Sequence, residues 1–238
     1  MPMDSRTDIT ALLRGVDLFS ALGDEELDQI ASVLLVQNFK AGETVILEKD
    51  EDAHALYIIA SGEVQIFITG VGGRETILSL LSRGDFFGEI ALIDGEPRSA
   101  SARTVTDTKV FILLQKDFLD LLDTKPGLAK GILLEMSARL RRSNRQIGSL
   151  STMSVYGRVA STILNLVEER GVRVHTKTGE CLTVIRNRPT QQQLADMSGT
   201  TRETVSRVCS MLVKKGAISM TGKELIVFED ALMMEVES

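Results

Sequence analysis

Residues 189–218 read PTQQQLADMSGTTRETVSRVCSMLVKKGAI. Thr190 stands where a hydroxyl caps a helix running through Met197. Ser198-Gly199-Thr200 interrupts that helix, and Gly199 allows the tight turn that joins two short helices. A second helix opens Thr201-Arg202-Glu203-Thr204-Val205-Ser206-Arg207. Helical spacing makes Val205, Val208, Met211 and Leu212 its buried face. Arg202, Glu203 and Arg207 gather near one exposed face at its N-terminal end. The pattern is a helix-turn-helix. The plainer alternative is a solvated helix with an i,i+4 link between Glu203 and Arg207.

Charge supports the first reading. Residues 1–150 carry 16 basic and 23 acidic side chains, net −7, whereas residues 151–238 carry 11 and 10, net +1. Within 186–223 seven basic residues (Arg186, Arg188, Arg202, Arg207, Lys214, Lys215, Lys223) face two acidic ones, Asp196 and Glu203, for a local +5. A basic face so placed suits a phosphate backbone. Arginine suits guanine O6 and N7, and glutamate suits the cytosine amino group. Arg202, Glu203 and Arg207 are therefore candidate base readers at the start of a recognition helix. Thr190, Gln192, Thr201 and Thr204, at or beside the two helix starts, are further DNA-contact candidates. Lys223 belongs to AISMTGKELIVF, which reads as two strands turning at Thr221–Gly222, and is a candidate phosphate contact.

Upstream, VRVHTKTGECLTVI reads as a hairpin turning at Thr178–Gly179, and Ser154 as the N-cap of a helix reaching Val167 and its neighbours. Before it a long helix starts near Pro126 and runs to about Met153. Its positions Leu133, Met136, Leu140, Ser143, Ile147 and Leu150 are spaced 3, 4, 3, 4, 3, a heptad seam with one polar member. Arg139, Arg141, Arg142 and Arg145 read as its solvated sides. The seam points to a parallel dimer; the alternative is packing on its own domain. From about 35 to 114 the pattern becomes short β-rich runs (TVILE, ALYIIA, EVQIFIT, TILSLL, KVFILL) broken by Gly42, Gly62, Gly72–Gly73, Gly84 and Gly95. That is a barrel-like or sandwich-like β domain. Residues 8–34 read as short helices, with Asp24 an N-cap and Leu27, Ile30, Ala31 and Leu34 an apolar face.

In the β zone, residues 86–102 read FFGEIALIDGEPRSASA. Gly88 lets backbone approach a ligand, and the apolar stretch after it starts a turn with free N–H groups. Arg98 is followed by Ser99, Ala100, Ser101 and Ala102, which leave room for a guanidinium to grip a phosphate bidentately. Glu89, isolated among Phe, Ile and Leu, is placed to accept hydroxyl protons from a sugar. The alternative is a buried Glu–Arg salt bridge with no ligand.

Gly88-Glu89-Ile90-Ala91-Leu92 followed by Pro97-Arg98-Ser99-Ala100-Ser101 resembles the phosphate-binding cassette of cyclic-nucleotide-binding domains, with a compact acidic loop, IDGE, between. The resemblance implies that Glu89 takes the ribose 2′-hydroxyl and that Arg98 and Ser99 hold the cyclic phosphate. It places the backbone of Gly88, Ile90, Ala91 and Ala100 around that phosphate. RETVSR after SGT resembles the recognition helix of the Crp/Fnr transcription regulators, and the hairpin strands resemble their wing. The resemblance covers roughly residues 15–228. It implies an α+β chain with a jelly-roll-like cyclic-nucleotide-binding β-roll (1–125), a dimerisation helix (126–153) and a winged helix-turn-helix (154–238). In the catabolite-activator branch two polar residues of the dimer helix contact the ligand's base, one from each subunit. Ser143 and Asn144 align with them where that branch usually shows Thr-Ser. cAMP is the expected ligand, with cGMP open. The expected partners are a second copy, palindromic DNA with a TGTGA-like half-site, and RNA polymerase.

Composition excludes other classes. Of 238 residues 43% are hydrophobic and 25% charged, ordinary for a globular chain, and Trp is absent. Cys181 and Cys209 form no CxxC pair, so no disulfide framework, Cys-rich zinc site or all-Cys cluster is expected. The first ten residues lack an apolar segment and no run of about 18 apolar residues exists, so the expected location is cytoplasmic. Oxygen sensing in this family needs an N-terminal Cys cluster, which is lacking. Haem is not expected, because only His54, His175 and Pro2 offer themselves and His54 sits in an acidic loop. A cyclic dinucleotide is the stronger rival, and a ligand-independent DNA binder the third. No nucleophile–base pair, metal cluster or P-loop points to an enzyme.

Overall fold

The computed structural model describes residues 6–51, 55–175 and 181–236. Pro2, His54 and the Thr178–Gly179 turn lie outside the described residues. The chain divides into two compact units, the first ending at Arg141 and the second starting at Arg142.

The first unit opens with α1 (Arg6–Leu13), a 3-10 turn (Asp17–Phe19) and α2 (Asp24–Val33). Asp24 is the first helical residue and not the cap. Gly23 caps α2, because Glu26 reaches back to accept its N–H at 2.9 Å. Eight strands follow: β1 (Leu35–Phe39), β2 (Thr44–Ile46), β3 (Ala55–Ser61), β4 (Val64–Thr69), β5 (Glu75–Leu81), β6 (Phe86–Phe87), β7 (Ser101–Thr104) and β8 (Thr108–Leu114). They form two four-stranded sheets, ordered β1-β8-β3-β6 and β2-β7-β4-β5, every pairing antiparallel. The short helix α3 (Glu89–Asp94) interrupts the path from β6 to β7, and α4 (Gln115–Thr124) follows β8. Leu56, Ile58, Phe111 and Leu113 of the first sheet are buried in one cluster with Leu13, Phe19, Ile30 and Phe118 of the helices and the 3-10 turn. Alternating apolar residues on β3 and β8 thus bury one sheet face against the helices. The long helix α5 (Pro126–Thr152) adds Leu128 and Ile132 to that core from its first turns.

The second unit contains the rest of α5, then α6 (Val155–Arg170), whose cap Ser154 accepts the Gly157 N–H at 3.1 Å. β9 (Val172–His175) and β10 (Cys181–Ile185) lead to α7 (Gln191–Ser198) and α8 (Arg202–Lys214). β11 (Ile218–Thr221), β12 (Glu224–Val227) and α9 (Glu229–Val236) close the chain, and the sheet order is β11-β12-β10-β9. Val205, Val208, Cys209 and Leu212 face the core of this unit with Val159, Ile163, Leu166 and Leu194. Met211, expected on that face, is 47% exposed. The i, i+3, i+4, i+7 rule selects Cys209 in its place and turns Met211 outward. Burial raises the Cys209 thiol pKa above its usual value, against a weaker opposing effect of Arg188.

Candidate nucleotide site and nucleic-acid interface

β6 delivers Gly88 at φ +89°, a left-handed conformation that caps α3. A Cβ there would lie 2.8 Å from Arg98 Nη1 and 3.0 Å from the Ala55 carbonyl, so both conformation and space demand glycine. Arg98 is only 5% exposed, and its guanidinium donates to the Gly88 carbonyl and, at 3.0 Å, to that of Ala55. Its backbone is tied to the β2–β3 loop: Arg98 N donates to Asp50 O at 3.0 Å, and Lys49 N to Arg98 O at 2.8 Å. Lys49 adopts φ +66°, left-handed for a non-glycine residue. Ser99 is exposed, Ala100 half-buried, and the buried Ser101 hydroxyl accepts Glu48 N at 2.9 Å. Beside Gly88 lies an apolar wall of Ile46, Val64 and Phe87, with Tyr57 stacked on Phe87 at 5.1 Å.

Glu89 opens α3 and is 1% exposed. Its Oε1 accepts from Arg139 Nη1 at 2.7 Å, while its Oε2, also buried, has no hydrogen-bond partner among the described residues. Arg139 further donates to Glu135 at 2.8 Å and to the Phe86 carbonyl at 2.9 Å, and stacks over the Phe86 ring. Arg139, expected on the solvated side of its helix, is instead turned inward onto Glu89 and Phe86. A buried carboxylate requires a cation, and Glu89 finds it 50 residues downstream, where short-range spacing carries no signal. Arg98 turns two of its donors to carbonyls and none to Glu89, so the buried Glu–Arg pair involves Arg139. Burial lifts the Glu89 carboxyl above its usual pKa, opposed first by Arg139, and burial likewise lifts Asp85. Burial lowers Arg98, a group that stays cationic throughout.

Gly88, Glu89, Ile90, Ala91, Arg98, Ser99 and Ala100 all lie in the first unit, whereas Ser143 and Asn144 are exposed positions of α5 past its boundary. Along the seam Leu133, Leu140 and Ile147 are 68%, 62% and 64% exposed, and Leu150 is exposed too. Met136 differs: it is partly buried against the first unit's own core.

In the second unit the Thr190 hydroxyl accepts from Gln193 N at 3.2 Å while Gln193 Oε1 accepts from Thr190 N at 2.9 Å, a capping box for α7. Gly199 ends α7 at φ +63°. Thr201 caps α8, accepting Thr204 N at 3.3 Å. Arg202, Glu203 and Arg207 are all exposed. Arg207 donates to the Thr204 hydroxyl at 3.3 Å, and among the described residues Arg202 and Glu203 carry no side-chain bond. The Glu203–Arg207 link does not form. Gln192 donates to Asp196 at 2.9 Å. Lys223 is exposed in the β11–β12 turn, which Arg188 braces through the carbonyls of Lys223 and Gly222, both at 2.9 Å. Among the described residues no group of three or more His, Cys, Asp or Glu side chains is placed to hold a metal, and no helix is long and apolar enough to cross a membrane.

Two family models match the chain: a cyclic nucleotide-binding domain over residues 36–125 and a Crp-like helix-turn-helix domain over residues 157–234. The chain is 34% identical over 224 residues to the cyclic AMP receptor protein of Thermus thermophilus, covering 94% of this chain and 98% of that one. It is 32% identical over 206 residues to the cAMP-activated global transcriptional regulator CRP of Escherichia coli, covering 86% and 95%. In fold it resembles the c-di-GMP responsive global regulator CLP of Xanthomonas campestris, with a TM-score of 0.70, 24% identity and coverage of 87% and 99%. With a nucleotide-binding β domain, a long helix and a helix-turn-helix in this order, the chain belongs to the Crp/Fnr family of cyclic-nucleotide-binding transcription regulators.

Proposed function

We propose that the protein is a homodimeric transcription regulator that binds cAMP and, in response, palindromic DNA. The observation that carries the ligand reading is Glu89 Oε2, a buried carboxylate oxygen without a donor among the described residues. Such an acceptor is costly to leave unpaired, and a ribose 2′-hydroxyl provides the donor. Arg98 uses two of its five N–H donors on carbonyls, leaving three for a cyclic phosphate, which Ser99 shares. The left-handed turn at Gly88 and the backbone of Ile90, Ala91 and Ala100 line the same cradle.

The exposed seam of Leu133, Leu140, Ser143, Ile147 and Leu150 pairs with its copy, and Ser143 and Asn144 then contact the base, one from each subunit. The preference for cAMP over cGMP is supported by the two relatives named for cAMP. Arg202 and Arg207 read guanine and Glu203 cytosine in the major groove, Thr190, Gln192, Thr201 and Thr204 contact DNA beside them, and Lys223 meets a phosphate. The chain works in the cytoplasm with RNA polymerase as its partner. Titration calorimetry of the full chain with cAMP, cGMP and cyclic di-GMP tests the ligand: cAMP binds at one site per protomer. Tight binding of cGMP or cyclic di-GMP with cAMP ignored overturns the assignment.

A further inference from the structure

Arg158 lies in the first turn of α6 and is half-buried. Its guanidinium reaches two ways. Nε donates to Ser198 O at 3.0 Å and Nη2 to Gly199 O at 3.4 Å, the last carbonyls of α7 and its turn. Nη1 donates to Met153 O at 3.4 Å, one residue beyond the end of α5. Helix C-terminal carbonyls lack intrahelical partners and carry partial negative charge, so one cation answers two helix ends. Two α5 side chains touch the same turn. Gln146 Nε2 donates to Met197 O at 3.4 Å. Leu150 Cδ2 lies 3.1 Å from where a Gly199 Cβ would stand. Two residues after Gly199, Thr201 caps α8.

We propose that Arg158 is a positioning residue that ties the α7–α8 turn, and with it the start of α8, to the end of α5. Any displacement of that end relative to α7 makes the guanidinium surrender one set of carbonyls. The contact is therefore sensitive to that displacement, as an element that couples two sites must be. Gln146 and Leu150 add neutral and apolar contacts that do not replace the charge. The inference rests on the reading that a nucleotide controls DNA binding.

The test uses the full chain as wild type, Arg158→Lys and Arg158→Ala. Affinity for a palindromic duplex obtained by site selection is measured by fluorescence anisotropy without nucleotide and with saturating cAMP, cGMP or cyclic di-GMP. Nucleotide binding is followed by calorimetry and folding by thermal unfolding. Couplings of ordinary size change affinity by about 5–150-fold. Arg158→Ala keeps its nucleotide site and folded state but loses most of the wild-type factor. Arg158→Lys, a point cation in place of a fork, keeps part of it. Losses of DNA affinity equal with and without nucleotide leave the factor intact and overturn the proposal, since Arg158 is then a brace and nothing more. Should Arg158→Ala not fold, an undiminished factor in Arg158→Lys overturns it. A wild type whose DNA affinity ignores every nucleotide fails at the earlier step: it overturns the reading beneath, and this inference falls with it.

Discussion

Arg98 is held by carbonyls on one side and by the Lys49–Asp50 backbone on the other, so its guanidinium is placed before any ligand arrives. Arg98→Ala should abolish nucleotide binding, since charge-assisted bonds contribute about 1.5–3 kcal/mol each. Calorimetry that finds unchanged affinity in a folded variant would refute the phosphate assignment. Glu89 gives a pH signature. Facing it are Arg139, Glu135 and Arg98, and burial outweighs the two arginines, so its pKa lies above the 4.5 of an ordinary glutamate. Between those two values the folded state holds more protons than the unfolded one, and the contribution of Glu89 to stability falls as pH rises. Relative to Glu89→Gln, wild type should lose stability across that window and level off above it. Denaturant unfolding at a series of pH values checks this, and a difference that does not vary with pH contradicts it. Gly88, Glu89 and Arg98 were legible in the sequence because they lie within one short motif. Arg139 was not, because its partner is brought to it by folding alone.

At the scale of elements, α5 carries the quaternary prediction. Leu133, Leu140 and Ile147 are aliphatic yet more than half exposed, and exposed apolar stripes mark interfaces. Leu140→Glu sets two like charges on the seam and should give a monomer by light scattering with its helical signal intact. A dimeric variant would assign the dimer contact to another surface. The heptad was readable along its whole length, but it placed Met136 with the seam, where periodicity alone does not distinguish a partner helix from the helix's own domain. Five strands of the β zone, β2, β3, β4, β5 and β8, were legible through their Gly punctuation, whereas β1, β6 and β7 were not. α9 was not: EDALMMEV is short and weakly amphipathic, and it is held by side chains. Tyr156 donates to Glu235 at 2.6 Å, and Lys215 pairs with the same carboxylate.

For the molecule as a whole, net charge and function pull in opposite directions, since a chain of −6 is assigned to a polyanion. The distribution resolves this: the excess of acid lies within residues 1–150, and the +5 window spans α7, α8 and the β11–β12 turn. Within that window two residues should behave differently. Arg202→Ala should flatten preference at one base pair of each half-site, with about 1–3 kcal/mol of discrimination lost and the salt dependence nearly unchanged. Lys223→Ala should weaken every sequence alike and lower the salt slope by about one unit. Site selection at two salt concentrations separates the outcomes, and an unchanged selected motif for Arg202→Ala would remove it from the base-reading set.

Cys209 sits on the inner face of the same helix whose exposed first turns carry Arg202 and Arg207. Its thiol is enclosed and held protonated by burial, so an alkylating reagent reaches it only when the domain opens. Labelling of the Cys209 peptide, timed by mass spectrometry, therefore acts as a clock for how often the DNA-reading domain breathes. Bound duplex, by stabilising the closed form, should slow that clock in proportion to its occupancy.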